Sequence, residues 1–108
     1  MSAGISELEV TEVFNQLKEG DHAFLDVRSE AEYHEVHAVG TRLIELDRLS
    51  PTSIKELDIP KDKRVFIICR SGRRSMVACQ LFNSLGYQDM VNVAGGTLAW
   101  EASDLPVE

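Results

Sequence analysis

The sequence of 108 residues lacks any long hydrophobic run, and its 44% hydrophobic content is spread over short segments. A helix that crosses a bilayer needs about 20 consecutive apolar residues, so no membrane partner is expected. The N-terminal segment carries Glu7 and Glu9 but no early Lys or Arg, which is unlike a secretory signal. We therefore expect a single domain over residues 1–108, located in the cytoplasm.

Cysteine is also scarce, since only Cys69 and Cys79 occur and they form no C-x-x-C motif. The three histidines make no metal-binding pattern with them. This usage argues against a disulfide framework and against a structural zinc site. Cys79 is three positions from both Met76 and Phe82, so it is predicted to pack in the core. Cys69 is predicted to be a reactive thiol, and neither a metal nor another cofactor is expected.

Basic residues are outnumbered, because 11 Lys and Arg accompany 18 Asp and Glu, for a net charge of -7. This balance argues against nucleic acid or an anionic membrane as a partner, since both need a basic surface. Arg70, Arg73 and Arg74 nevertheless fall within five positions. Their local positive charge predicts a site for one small anion. The simpler alternative is that some of these arginines pair with surface carboxylates.

Strand and helix patterns alternate along the chain. Short apolar runs predict strands at residues 8–10, 23–27, 41–46, 64–69 and 90–93. Capping residues and apolar spacing predict helices at 12–18, 30–33, 51–57 and 76–85, and a last helix that follows Gly95-Gly96 and includes Trp100. Thr11 is the predicted N-cap of the first helix, and Ser29 with Glu32 predicts a capping box at the second. Ser50 and Pro51 are the predicted N-cap and first residue of the third helix.

This order of elements predicts an α/β fold, with a mostly parallel five-stranded sheet and helices on both faces. In such sheets, ligands bind at the carboxyl ends of the strands. Asp26 and Arg28 follow the second predicted strand, and Cys69 and Arg70 follow the fourth. The fold would bring these residues to one edge, where Asp26 and Arg28 are expected to form a supporting ion pair.

Residues 69–75, with the sequence CRSGRRS, lie between an apolar strand and a predicted helix. The start of a helix offers unpaired backbone N–H groups and the positive end of the helix dipole. Both favour a thiolate at Cys69, whose pKa would fall below the usual value of about 8.5. We expect an exposed sulfur, with Gly72 allowing the loop to turn around it.

These motifs together resemble the rhodanese family along nearly the whole chain. The matching segments are Leu25-Asp26-Val27-Arg28, Glu32-Tyr33, His37 with Gly40, Cys69 to Ser75, and Gly95-Gly96 with Trp100. Each motif alone is common, but the combination is specific. The sequence departs from the family pattern between Val36 and Glu45, at the entrance to the third predicted strand.

The resemblance implies a sulfurtransferase. Cys69 would take a sulfane sulfur from thiosulfate, or from a persulfide-donor protein, and pass it from a persulfide to cyanide or a thiol acceptor. The substrate-binding residues would be the rest of the loop, which comprises Arg70, Ser71, Gly72, Arg73, Arg74 and Ser75. Arginines would hold the sulfonate oxygens of the donor, and Ser75 would also cap the following helix.

Two other functions remain open for this fold. One is a cysteine-dependent phosphatase or arsenate reductase. The phosphatases place an arginine six positions after the cysteine, where this chain has Ser75. The shorter spacing from Cys69 to Arg73 and Arg74 favours sulfur transfer. The other alternative is a rhodanese-like module that carries sulfur or only binds partners, and silent modules of this kind normally lack the cysteine.

Overall fold

The computed structural model describes residues 4–20 and 22–108, and its centre is a sheet of five parallel strands. The strands are β1 (Ile5–Leu8), β2 (Ala23–Asp26), β3 (Arg42–Leu43), β4 (Val65–Ile68) and β5 (Met90–Val93). Their order across the sheet is β1-β5-β4-β2-β3. All residues of the central strand β4 are buried, which explains why this segment is apolar throughout.

Helices cover both faces of the sheet. They are α1 (Val10–Leu17), α2 (Glu30–Glu35), α3 (Pro51–Glu56), α4 (Arg73–Ser84) and α5 (Gly96–Ala102), with a 3-10 turn at Leu46–Arg48. Alternate residues of β4 enter two separate cores. Val65 and Ile67 pack with α3 and α4, whereas Phe66 and Ile68 pack with α1 and α5. The predicted α/β architecture is confirmed, and all five strands of the sheet are parallel.

The first strand and the first helix both start earlier than predicted. The strand expected at residues 8–10 is Ile5–Leu8, because this segment pairs with β5 along its whole length. Val10 already belongs to α1, where it is buried on the inner face of the helix. Glu9 is the N-cap in place of Thr11, which lies inside the helix.

The third strand is shorter than the predicted 41–46, since β3 is only Arg42–Leu43. A 3-10 turn that begins at Leu46 ends the extended segment. Before β3, the chain is tied to the C-terminal residues, because Ala38 forms an antiparallel bridge with Val107. The segment that departs from the family pattern therefore contributes little to the sheet.

The predicted caps of the next two helices are confirmed. The Ser29 hydroxyl accepts from the Glu32 N–H at 3.2 Å, and the Glu32 carboxylate accepts from the Ser29 N–H at 3.1 Å. Ser50 is the N-cap of α3, and Pro51 starts that helix. In residues 4–20 and 22–108, no helix has both the length and the apolar character needed to cross a membrane.

Candidate active site

Cys69 lies directly after β4, where the chain turns into α4. This helix begins at Arg73, three residues earlier than the predicted 76, because Gly72 is its N-cap with a φ of 107°. A residue with a side chain would be strained in this left-handed conformation. Ser75 was predicted to cap the helix, but it is buried inside the first turn. We call residues 69–75 the cysteine loop.

Hydrogen-bond donors surround the Cys69 sulfur. The Gly72 N–H donates to Sγ at 3.1 Å, and the Ser75 hydroxyl oxygen lies 3.2 Å from Sγ. Burial alone would raise the pKa of the Cys69 thiol. Hydrogen bonds from the Ser75 hydroxyl, and from the N–H groups of Ser75, Gly72 and Ser71, outweigh burial and lower this pKa. The loop therefore favours the thiolate, which is the nucleophilic form of cysteine.

The expectation of an exposed Cys69 was wrong, since the residue is only 1% exposed. The first turn of α5 packs against the chain at this point. Thr97 donates to the Cys69 carbonyl twice, through its N–H at 2.8 Å and its hydroxyl at 3.1 Å. The Leu98 N–H donates to the Arg70 carbonyl at 3.2 Å. Helix α5 thus fixes the backbone that carries the sulfur.

Gly96 makes this close packing between α5 and the cysteine loop possible. A Cβ at position 96 would lie 2.4 Å from the Cys69 carbonyl oxygen, and the residue has a φ of 58°. Both the contact and the left-handed backbone exclude a larger side chain. The predicted turn at Gly95-Gly96 into the last helix is confirmed.

Behind the loop, hydrogen bonds connect Ser75 to β5 and then to β1. The Ser75 hydroxyl donates to Asn92 Oδ1. The Asn92 amide nitrogen donates to the Gly72 carbonyl at 3.0 Å and to the Glu7 carboxylate at 2.9 Å. Ser75 and Asn92 are fully buried, so the bond between them is shielded from water, whereas Glu7 is exposed.

The three arginines of the loop have different surroundings. Arg74 donates to the Glu32 carboxylate through two nitrogens, at 2.7 and 2.9 Å, and this interaction lowers the pKa of Glu32 to about 2. Arg70 and Arg73 are exposed, and neither guanidinium has an ion-pair partner within residues 4–20 and 22–108. The anion-binding role remains a prediction, but Arg70 and Arg73 are the arginines available for it.

Asp26 and Arg28 form a buried ion pair at the end of β2. Arg28 Nε donates to Asp26 Oδ1 at 3.0 Å, and Nη2 donates to Oδ2 at 2.9 Å. Nη2 also donates to the Val36 carbonyl at 2.7 Å. The pair therefore joins the end of β2 to the end of α2, in the supporting position that the sequence suggested.

A pocket of about 290 Å³ opens beside the loop. Its lining includes Arg28 and Glu32 on one side, and Arg70, Thr97 and Leu98 on the other. It lies near the carboxyl ends of β2 and β4, which is where ligands bind in α/β sheets. Arg70 brings an exposed guanidinium to this pocket, whose lining also includes the carboxylates of Glu35 and Glu101.

Cys79, the second cysteine, is fully buried in the core that contains Phe82, with Met76 packed against it. Its predicted packing role is thus confirmed. Burial raises the pKa of the Cys79 thiol to about 12, so this residue stays protonated at neutral pH. The surroundings therefore favour the thiolate at Cys69 and the neutral thiol at Cys79.

Sequence reasoning missed Asn92, Thr97 and Glu32 as members of the site. For Asn92 a signal was present, because it is the polar residue of an otherwise apolar buried strand, and such a residue needs hydrogen-bond partners. For Glu32 the capping role was recognised, but its bond to Arg74, 42 positions away, had no local signal.

Comparison with known proteins agrees with this arrangement. The sequence model of the rhodanese-like domain family matches residues 9–103, which include the cysteine loop and helices α4 and α5. The chain belongs to the rhodanese family. The resemblance seen in the sequence is thereby confirmed, together with the fold that it implied.

Individual rhodanese relatives support the same assignment. A sulfurtransferase of Allochromatium vinosum is 44% identical over 54 residues, which is 50% of each chain. The YtwF protein of Bacillus subtilis is 34% identical over 106 residues, or 94% of this chain and 96% of that one. A rhodanese-related protein from Thermoplasma volcanium superimposes with a TM-score of 0.79 at 25% identity, over 94% and 96% of the two chains. Several curated relatives are longer, since the chain spans 19% of one and 50% of another.

Proposed function

We propose that this rhodanese domain is a sulfurtransferase that carries a sulfane sulfur as a persulfide on Cys69. The observation that supports this most directly is the set of N–H and hydroxyl groups around Sγ, which lowers the pKa of the thiol. The thiolate, which these groups favour, is the nucleophilic form of cysteine. The sulfurtransferase name of the Allochromatium relative points to the same chemistry.

In the first half-reaction, the Cys69 thiolate attacks the outer sulfur of thiosulfate. A new S–S bond forms, the bond between the two sulfurs of thiosulfate breaks, and sulfite leaves with the electron pair of that bond. The product is a Cys69 persulfide with its negative charge on the outer sulfur. A persulfide-donor protein would load Cys69 in the same way and release its own thiolate.

The sulfonate end of thiosulfate binds to Arg70 and Arg73, which have no carboxylate partner in the described part of the chain. Guanidinium groups suit this task because they offer several N–H donors to an oxyanion. Cys69 is 1% exposed, so the outer sulfur of the donor must enter between these side chains. Arg70, Ser71 and Arg73 are the exposed residues of the cysteine loop.

In the second half-reaction, cyanide or the thiolate of an acceptor attacks the outer sulfur of the persulfide. The bond between that sulfur and Sγ breaks, and Cys69 regains its thiolate. No metal or other cofactor takes part in either step. In the cytoplasm, which is the compartment we propose, a thiol is the natural acceptor because the environment is reducing.

Intact-protein mass spectrometry after brief incubation with thiosulfate tests this proposal. The wild type should gain about 32 Da, the mass of one sulfur atom, and release one equivalent of sulfite. Cys69→Ser should show neither change, whereas Cys79→Ser, which removes the buried unreactive thiol, should behave as the wild type does.

A folded, reduced wild-type protein that gains no sulfur and releases no sulfite would rule out thiosulfate as a donor. Incubation with a small-molecule persulfide then tests the other donor class by the same mass change. Failure with both donors would overturn sulfur transfer through Cys69.

A further inference from the structure

Asn92 is a fully buried polar residue whose neighbours in β5 are apolar. Its side chain has no contact with solvent, yet all of its polar atoms are hydrogen-bonded. Oδ1 accepts from the Ser75 hydroxyl, and Nδ2 donates to the Gly72 carbonyl and the Glu7 carboxylate. Asn92 therefore contacts two residues of the cysteine loop from behind.

The orientation of the Asn92 amide is fixed by its neighbours. The Gly72 carbonyl and the Glu7 carboxylate are both acceptors only, so the NH₂ group must face them. The opposite orientation would place Oδ1 against these two oxygens. Oδ1 consequently faces Ser75 and demands a donor from it.

Ser75 has a single hydroxyl proton, and two groups compete for it. One is Asn92 Oδ1, and the other is Cys69 Sγ, which lies 3.2 Å from the hydroxyl oxygen. While Cys69 is a thiol, both needs are met, because S–H donates to the Ser75 oxygen and Ser75 donates to Asn92. When Cys69 is a thiolate, Ser75 can donate to the sulfur only by leaving Oδ1 without its donor.

We propose that Asn92 is a positioning residue that holds the Ser75 proton away from the sulfur until Cys69 ionises. On ionisation the Ser75 hydroxyl keeps its proton but donates it to Cys69 Sγ in place of Asn92 Oδ1. Formation of the thiolate thus adds a hydrogen bond at Sγ but leaves the buried Asn92 Oδ1 without its donor. The thiolate is therefore less stable and more nucleophilic than the loop alone would make it.

This arrangement also distinguishes the states of the proposed sulfur transfer, on which its functional meaning rests. In the persulfide, Sγ is a neutral bridging atom and the charge lies on the outer sulfur. Sγ then needs no donor, so the Ser75 hydroxyl can again donate its hydrogen bond to Asn92 Oδ1. Asn92 therefore favours the sulfur-loaded form of Cys69 over the free thiolate.

Other charged groups act on the Cys69 thiol as well and must be kept constant in a test. Arg74 on α4 interacts electrostatically with Cys69 and carries Glu32 as its partner. Glu7 on β1 accepts a hydrogen bond from Asn92. The Cys79 thiol also interacts electrostatically with Cys69. None of them competes for the Ser75 proton, so a double-mutant cycle through Ser75 separates their effects from that of Asn92.

The cycle compares Asn92→Val in two backgrounds, wild type and Ser75→Ala. Its readout is the pH midpoint of Cys69 alkylation by iodoacetamide, which needs no sulfur donor and so stands if sulfur transfer fails. We expect Asn92→Val to lower the pH midpoint of alkylation by about half to one unit more when Ser75 is present than when it is absent. An equal effect in both backgrounds would overturn the proposal, since Asn92 would then only support the Gly72 carbonyl.

A second measurement uses the unaltered protein, in case Asn92→Val does not fold. In proton–nitrogen NMR spectra, the Asn92 side-chain amide should shift with the same midpoint as Cys69 alkylation. This shift should disappear in Ser75→Ala, where Cys69 still ionises. An Asn92 amide that stays unchanged while Cys69 ionises in the wild type would contradict the proposed movement of the proton.

Discussion

Arg74 and Glu32 are joined by two hydrogen bonds, of 2.7 and 2.9 Å, which connect the start of α4 to α2. The same carboxylate accepts from the Ser29 N–H and so caps α2. One of the three loop arginines is therefore committed to the structure of the protein. Arg70 and Arg73 have no ion-pair partner in the described part of the chain, and they are the arginines that we propose attract an anionic donor.

The Arg74–Glu32 pair should make stability depend on acid pH. Glu32→Gln keeps a capping side chain but loses the charge, and we expect the free energy of unfolding to fall by roughly 1 kcal/mol at pH 7. The folded-state pKa of Glu32 is lowered from 4.5 to about 2, so its contribution is complete above pH 4.5 and is lost as pH falls toward 2.

Urea unfolding of both proteins at several pH values measures this contribution of Glu32. The difference between wild type and Glu32→Gln should shrink as pH falls from 4.5 toward 2. Glu45→Gln is the control, because the ion pair of Glu45 with the exposed Arg48 is long, at 3.5 Å. Its loss should change the free energy of unfolding little at any pH. A difference for Glu32→Gln that is as large at pH 3 as at pH 7 would contradict the assignment.

Arg70→Ala and Arg73→Ala should each weaken the use of thiosulfate. We expect kcat/KM to fall on the order of tenfold for either variant, since each removes a charge-assisted contact with the sulfonate group. Higher salt should reduce the difference in kcat/KM between each variant and the wild type, because salt screens exposed charges. Arg48→Ala, which removes an exposed arginine on the 3-10 turn, is the matched control and should leave kcat/KM unchanged.

Much of the fold was predictable because its signals are local. The buried strand before Cys69 is a continuous apolar run, and the Ser29–Glu32 capping box is a short-range pattern. The first strand was misplaced because only its pairing with β5 shows where it lies. A single sequence contains no direct record of that pairing.

The site was predictable as far as its chemistry follows from neighbours in sequence. The position of Cys69 between a strand and a helix start predicted a low thiol pKa, which the structure supports. The hydrogen bonds from Thr97 to the Cys69 carbonyl join residues 28 positions apart, so no local pattern predicted them. The choice of Arg74 as the paired arginine likewise depends on the position of α2.

Gly96→Ala should disrupt the site more than an ordinary glycine substitution. The added Cβ would overlap the Cys69 carbonyl oxygen at 2.4 Å, so α5 or the loop must move. Gly40→Ala is the matched control, because Gly40 also has a positive φ, of 92°, but nothing lies within 4 Å of its Cβ position. Gly40→Ala should cost about 1 to 2 kcal/mol of stability and keep activity. Gly96→Ala should cost more and lose most sulfur transfer, as thermal unfolding and sulfite release would measure.

The buried Asp26–Arg28 pair should matter mainly for stability. Either Asp26→Asn or Arg28→Met leaves its partner buried without full compensation, and we expect each to lose about 3 to 5 kcal/mol. The double variant should lose less than the sum of the two single changes. Chemical unfolding of the three variants tests this, and additive losses would show that the two side chains do not act as a pair.

Sulfur transfer through Cys69 is tested best by counting sulfur through one complete cycle. The protein is loaded with thiosulfate, separated from it, and then treated with cyanide, while sulfite and thiocyanate are measured per chain. Transfer through a Cys69 persulfide should give one sulfite on loading and one thiocyanate on discharge, and neither product with Cys69→Ser. Equal amounts of both products from Cys69→Ser and wild type would contradict it, since sulfur would then move without a Cys69 persulfide.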